Sequence, residues 1–182
     1  MILYRKIDLY YYNISFAQMI SNKDANYISA AAQQAAESPL QMRHGAVAVC
    51  GGRIIARGFN HYHWHSSNSV EGVSCHAECD VLHKLCKLGK RGQKRITIYV
   101  TRIGQNGALR ESSPCCDCYE KMKFFGIKNI VYTESGLDSC HVNIVKCPID
   151  DYKTNVVTTG QKWYSNTLQV QLAMQSALAS CQ

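Results

Sequence analysis

Two short segments constrain this 182-residue chain more than any other feature: Cys75-His76-Ala77-Glu78-Cys79 and Ser113-Pro114-Cys115-Cys116-Asp117-Cys118. Cysteines three apart at a helix start can turn both sulfurs toward one metal ion, and the first amides of the helix help keep the thiolates ionised. A histidine that starts a second helix can complete the set, so the fold must bring two helix starts together. With His76, Cys115 and Cys118 as ligands, Zn2+ keeps one tetrahedral position for water, which separates a catalytic zinc from a structural one. Glu78 stands two residues past the histidine, near enough to face that water without binding the metal, and is the expected proton carrier. A C-x-x-C pair alone reads as a structural zinc or redox motif. Here the ligands, the acid and Pro114 occur together in order, and the catalytic reading follows.

The surrounding pattern describes a sheet covered by helices. Residues 24–37 are alanine-rich and read as a helix, with Asp24 as its cap and Ser38-Pro39 as its stop, because a residue before proline avoids helical dihedrals. Residues 45–50 and 53–59 are β-rich runs joined by Gly51-Gly52, a hairpin signal. A loop over 60–74 follows. Helical spacing of Val81, Leu82, Leu85 and Leu88 marks a helix over 76–88 with Gly89 as its cap. The alternation of Ile96, Ile98 and Val100 marks a strand over 95–101, followed by a helix over 115–125 and a strand over 127–132. The connection 134–139 is too short for a crossover helix, so 141–145 is expected to pair antiparallel with the strand before it, Val156-Val157 being the rival. Residues 168–174 alternate like a strand in alanine-rich, helix-favouring surroundings. The whole is expected to be one domain over 1–182, with a core over about 24–150 and a C-terminal extension over 151–182.

A hydrophobic fraction of 46% argues against disorder, and no apolar run approaches membrane-spanning length. Arg5, Lys6 and Asp8 interrupt the N-terminal apolar run before a signal-peptide core forms, so the ten cysteines read as reduced thiols and a cytoplasmic location is expected. The net charge of +7 is unevenly placed: Lys84, Lys87, Lys90, Arg91, Lys94, Arg95, Arg102 and Arg110 fall in a stretch without an acidic residue. Such a stretch suits a phosphate-bearing partner or a solvated face.

His76-Ala77-Glu78 and Pro114-Cys115-x-x-Cys118 carry the H-x-E and P-C-x-x-C pattern of zinc deaminases. Over about 44–132 the chain resembles the cytidine and deoxycytidylate deaminase superfamily. The resemblance implies an α/β fold, a three-layer α-β-α sandwich with a mixed sheet of about five strands, and a zinc cofactor. It implies hydroxide attack on C4 of cytosine (or C6 of adenine), with Glu78 protonating the ring nitrogen and the departing ammonia. Gly58-Phe59-Asn60 resembles the family's strand-ending G-x-N, whose asparagine contacts the sugar, and the Ala77 amide and Ser113 carbonyl stand where the family reads the base. Homo-oligomers are common in this superfamily. An antiparallel last strand implies a free nucleoside or nucleotide substrate, and a parallel one a polynucleotide such as tRNA or single-stranded DNA. Silent partner subunits often lack the glutamate that is present here.

The remaining features are weaker. His61, His63 and His65 near Cys75 and Cys79 could hold a second zinc, but a polar gating loop is the simpler reading. Cys116 is expected to point away from the metal, and Cys50, Cys86, Cys140, Cys147 and Cys181 to be buried thiols. Lys90 to Arg95 lie about 20 Å from the metal along the His76 helix, beyond a mononucleotide phosphate and suited to the helix dipole. Arg102 and Arg110 precede Cys115 and are the candidates for a substrate phosphate. Tyr62, Trp64 and Tyr132 could stack on a base or strand, or pack in the core or at the rim.

Overall fold

The computed structural model describes residues 21–62, 74–90, 95–136 and 142–158. Among them the order is α1 (Asn22–Ala36), β1 (Arg43–Cys50), β2 (Arg53–Phe59), β3 (His61–Tyr62), β4 (Ser74–Cys75), α2 (Ala77–Lys87), β5 (Ile96–Ile103), β6 (Leu109–Arg110), α3 (Cys116–Phe125), β7 (Asn129–Ser135) and β8 (Val142–Pro148). The expectations at Trp64, His63, His65, Cys140, Cys181 and 168–174 lie outside the described residues.

Strand alternation sends two sets of side chains to opposite faces of the sheet. Val47, Val49, Tyr99 and Val131 pack with Ile28, Ala31 and Ala35 of α1. Ala46, Ala48, Ile98, Val100 and Ile130 pack with Val81 and Leu85 of α2 and Met122 of α3. The result is the expected α-β-α sandwich. Its sheet runs β2-β1-β5-β7-β8, with β6 paired to β5, and is mixed: β5 is parallel to β7, and the other neighbours are antiparallel.

Several boundaries differ from the sequence reading for identifiable reasons. Ser21, not Asp24, is the N-cap of α1, its hydroxyl accepting from the Asp24 N–H. His76 and Cys115 are N-caps and not first helical residues. β5 runs on to Ile103 because Arg102 and Ile103 find partners in β6. A short β3–β4 pair closes the base of the 60–74 loop. The last strand is β8, antiparallel to β7 from Ser135–Val142 to Asn129–Pro148, and Val156-Val157 is not a strand. Gly51 and Gly52 both take positive φ, as a tight turn between twisted strands requires.

Freed from capping, Asp24 anchors α1 to the sheet. It is buried and accepts from the Tyr99 hydroxyl at 2.5 Å and from Lys146 Nζ at 3.0 Å. Burial opposes its ionisation, but hydrogen bonds from Tyr99, Lys146 and Ser21 outweigh it and hold the carboxyl below its ordinary 3.8. A depressed folded-state value stabilises the protein above the unfolded-state value, and that stability is lost as pH falls through the folded one. Asp24→Asn is therefore expected to lower the melting temperature at pH 7 and to narrow the gap to wild type toward pH 3, as a pH series of thermal melts checks.

Candidate metal centre

Two of the three donor residues sit where a helix ordinarily places a capping side chain, and Cys118 lies in the first turn of α3. His76 caps α2 and Cys115 caps α3, yet neither side chain bonds its own helix. They turn toward each other instead. His76 Nδ1 lies 3.1 Å from Cys118 Sγ and 3.5 Å from Cys115 Sγ, and the donor atoms of all three residues lie within 4.8 Å of one another. Zinc bonds of about 2.3 Å to sulfur and about 2.0 Å to nitrogen put tetrahedral N and S donors about 3.5 Å apart, so the donor set fits the ion. Both cysteines are buried. Cys115 is pushed down to about 4, chiefly by the hydrogen bond from Cys118, while the same bond pushes Cys118 well up. The two thiols thus hold one proton between them, which a dication would displace.

Glu78, in the first turn of α2, is only 5% exposed, and burial raises its carboxyl above the ordinary value. It stands outside the three-donor group. Ala77 is fully buried, its N–H in the first turn of α2 where a helix supplies no acceptor.

Packing explains why the two helix starts meet. α2 lies tight on β2: a Cβ at Gly58 would come within 2.8 Å of Asp80 Oδ2 and 3.0 Å of the Ala77 carbonyl. Asp80 accepts from the Phe59 N–H at 3.3 Å and pairs with Lys84 at 2.8 Å. The approach to α3 is held by Ser112, whose N–H donates to the Thr133 carbonyl at 2.8 Å and whose hydroxyl donates to the Val100 carbonyl at 2.9 Å. Residues 152–156 then clasp the start of α3. Tyr152 donates its hydroxyl to the Pro114 carbonyl at 2.7 Å, and the Cys116 N–H donates to the Val156 carbonyl at 2.9 Å. No sequence pattern marks Ser112, Thr133 or Tyr152 for these roles.

Asn60 is buried, with Oδ1 accepting from the His44 N–H at 2.7 Å and Nδ2 donating to the Met42 carbonyl at 2.6 Å. One amide hydrogen and one lone pair remain on it. Ser113 is tied to Glu111 through both its N–H and its hydroxyl. Arg102 is half-buried and Arg110 exposed, side by side on β5 and β6. Cys116 points away from the other two cysteines, toward the Thr154 carbonyl. Cys86 is exposed, contrary to expectation, while Cys50 and Cys147 are partly buried. Tyr132 is in the core against Tyr152, and Tyr62 is exposed. Among the described residues His76, Cys115 and Cys118 are the only such donor group, and no helix is long and apolar enough to cross a membrane.

Removal of one donor is expected to remove the metal. Cys115→Ala and His76→Ala should fall to near-zero zinc and zero turnover, as metal analysis of the purified proteins checks. Full zinc occupancy in either variant would refute the ligand assignment.

Among solved structures, the cytidine deaminase of Burkholderia pseudomallei is 17% identical, with 76% of this chain and 100% of that one covered at a TM-score of 0.53, a likeness of fold. The dCMP deaminase of cyanophage S-TIM5 is 25% identical over 63% of this chain and 84% of that one, at a TM-score of 0.48. The guanine deaminase of Bacillus subtilis is 23% identical over 62% and 64%, at 0.43. No curated protein matches the sequence. Residues 21–134, which build the donor set and carry Glu78, match the cytidine and deoxycytidylate deaminase zinc-binding region, and the chain belongs to that family of zinc-dependent hydrolytic deaminases.

Proposed function

We propose that the protein converts cytosine to uracil in a free nucleoside or nucleotide of the CMP or dCMP type. The observation that carries this reading is the antiparallel pairing of β7 and β8, the arrangement the family resemblance links to free substrates. Water and cytosine give uracil and ammonia: the C4–O bond forms and the C4–N bond breaks. Zinc, when bound, supplies the Lewis acidity that lets water ionise near neutral pH. Glu78 would carry one proton of the attacking water to the ring nitrogen, which keeps it as the N–H of uracil, and the water's second proton to the departing amine. Its burial raises proton affinity toward the working pH, which suits a group that must both accept and release. In the same reading the Ala77 N–H and the Ser113 carbonyl hold the base. The remaining amide hydrogen of Asn60 meets a sugar hydroxyl, and Arg102 and Arg110 meet a phosphate. A homo-oligomer in the reducing cytoplasm is part of this proposal.

A panel of cytidine, CMP, dCMP, dCTP, single-stranded DNA and tRNA tests it. Turnover is expected on the free cytosine compounds and not on the polymers. Exclusive turnover of DNA or tRNA would replace this reading with a polynucleotide one, to which the basic stretch 84–110 would then belong. A zinc-loaded protein that leaves every substrate unchanged would be a silent partner subunit.

A further inference from the structure

Strand register places three basic side chains in one row. His44 of β1 lies opposite Arg102 of β5, and Arg102 opposite Arg110 of β6. Ala46 and Ala48 pack on the α2–α3 face, whereas Val47 and Val49 pack under α1. By the same alternation His44 takes the α2–α3 face. Val100 and Leu109 sort the other two strands likewise, so Arg102 and Arg110 share that face, which carries the metal centre. The row therefore crosses the sheet beside the metal ligands.

Its hydrogen bonding is incomplete. Arg102 Nε is buried without a hydrogen-bond partner among the described residues. His44 Nδ1 stands 3.2 Å from the Met42 carbonyl, which can only accept, so Nδ1 bears the hydrogen and Nε2 keeps a lone pair. Burial first, then the charge of Arg102, hold the imidazole below its ordinary value, down to about 4. The adjacent carboxylate, Glu111, is engaged by the Ser113 and Ser135 N–H groups. A buried guanidinium N–H and a neutral imidazole beside it lack what a phosphate provides, namely anionic oxygens for the arginines and a P–OH hydrogen for Nε2.

We propose that His44 is a specificity-determining residue that completes, with Arg102 and Arg110, a row recognising the phosphate of a nucleotide substrate. The inference rests on the deaminase reading above. His44 Nε2 accepts the P–OH hydrogen bond of a monoanionic phosphate. The backbone of His44 is already clamped by Asn60, so its ring is presented from a rigid strand.

Steady-state kinetics on dCMP and deoxycytidine with zinc-loaded wild type, His44→Ala and His44→Gln test the proposal, together with competitive inhibition by inorganic phosphate. His44→Ala is expected to raise KM for dCMP roughly tenfold and to weaken phosphate inhibition alike, the size of one charge-assisted hydrogen bond. Its kcat, its zinc content and its KM for deoxycytidine should stay at wild-type values. His44→Gln, which keeps a polar group in place of the ring and serves if the alanine variant fails to fold, should fall between the two. An unchanged KM for dCMP, or an equal rise for dCMP and deoxycytidine, would overturn the assignment while leaving the deaminase reading intact. Absence of turnover on every cytosine compound by wild type would instead defeat the deaminase reading.

Discussion

Glu78→Gln is expected to abolish turnover while leaving zinc in place. Glutamine keeps the shape of the side chain but can neither take a proton from water nor return one to the leaving amine. General acid–base catalysis by one positioned group contributes about 10²–10⁴-fold, and in the proposed mechanism a single carboxyl serves both transfers, so the loss should lie at or beyond the upper end. The donor group consists of His76, Cys115 and Cys118, which is why metal content should not follow activity. A pH profile adds a second check. Burial raises the Glu78 carboxyl above its ordinary value, so activity should fall on the acid side at a higher pH than a solvent-exposed glutamate would give. Retention of wild-type turnover in Glu78→Gln would overturn the mechanism.

The second large effect is structural. A Cβ at Gly45 would stand 2.1 Å from the Ala31 carbonyl oxygen and 2.2 Å from the Ala35 nitrogen, both helix backbone that no rotamer change can move. Gly45→Val must lift α1 from the sheet, and with it the buried Asp24 anchor on Tyr99 and Lys146. Overpacking of cores costs about 1–3 kcal/mol when side chains can yield, and here they cannot, so about 3 kcal/mol or more is expected. For a chain of this size that is roughly 6–12 °C in Tm. The loss should appear in thermal melts of the zinc-loaded protein. A melting temperature equal to wild type would mean that α1 does not approach β1 as closely as described.

Why the metal centre could be read from residues alone is a matter of locality. His76 and Glu78, like Cys115 and Cys118, are neighbours on one helix start, so spacing and helix geometry relate them without reference to the rest of the chain. The antiparallel last strand was similarly accessible, because a short connection after β7 leaves little room for a crossover helix. Asn60 was legible as a strand end, but not its attachment to the backbone of Met42 and His44, which depends on β1–β2 register. Tyr152 and Val156 lay in a stretch that resembled an extension or a spare strand, and only packing made them a clasp on Pro114 and Cys116. His44 bore no motif at all. Its place beside Arg102 follows from a pairing of residues 58 apart in the chain.

The sequence by itself determined the chemistry, because a donor set with an adjacent acid is defined by residue types at short spacing. Tertiary structure alone decided how the two helix starts are driven together and which side chains share the sheet face with the donor set. Those relations arise from strand register and from helix packing against glycine-lined strands, and both act between residues that no local pattern connects.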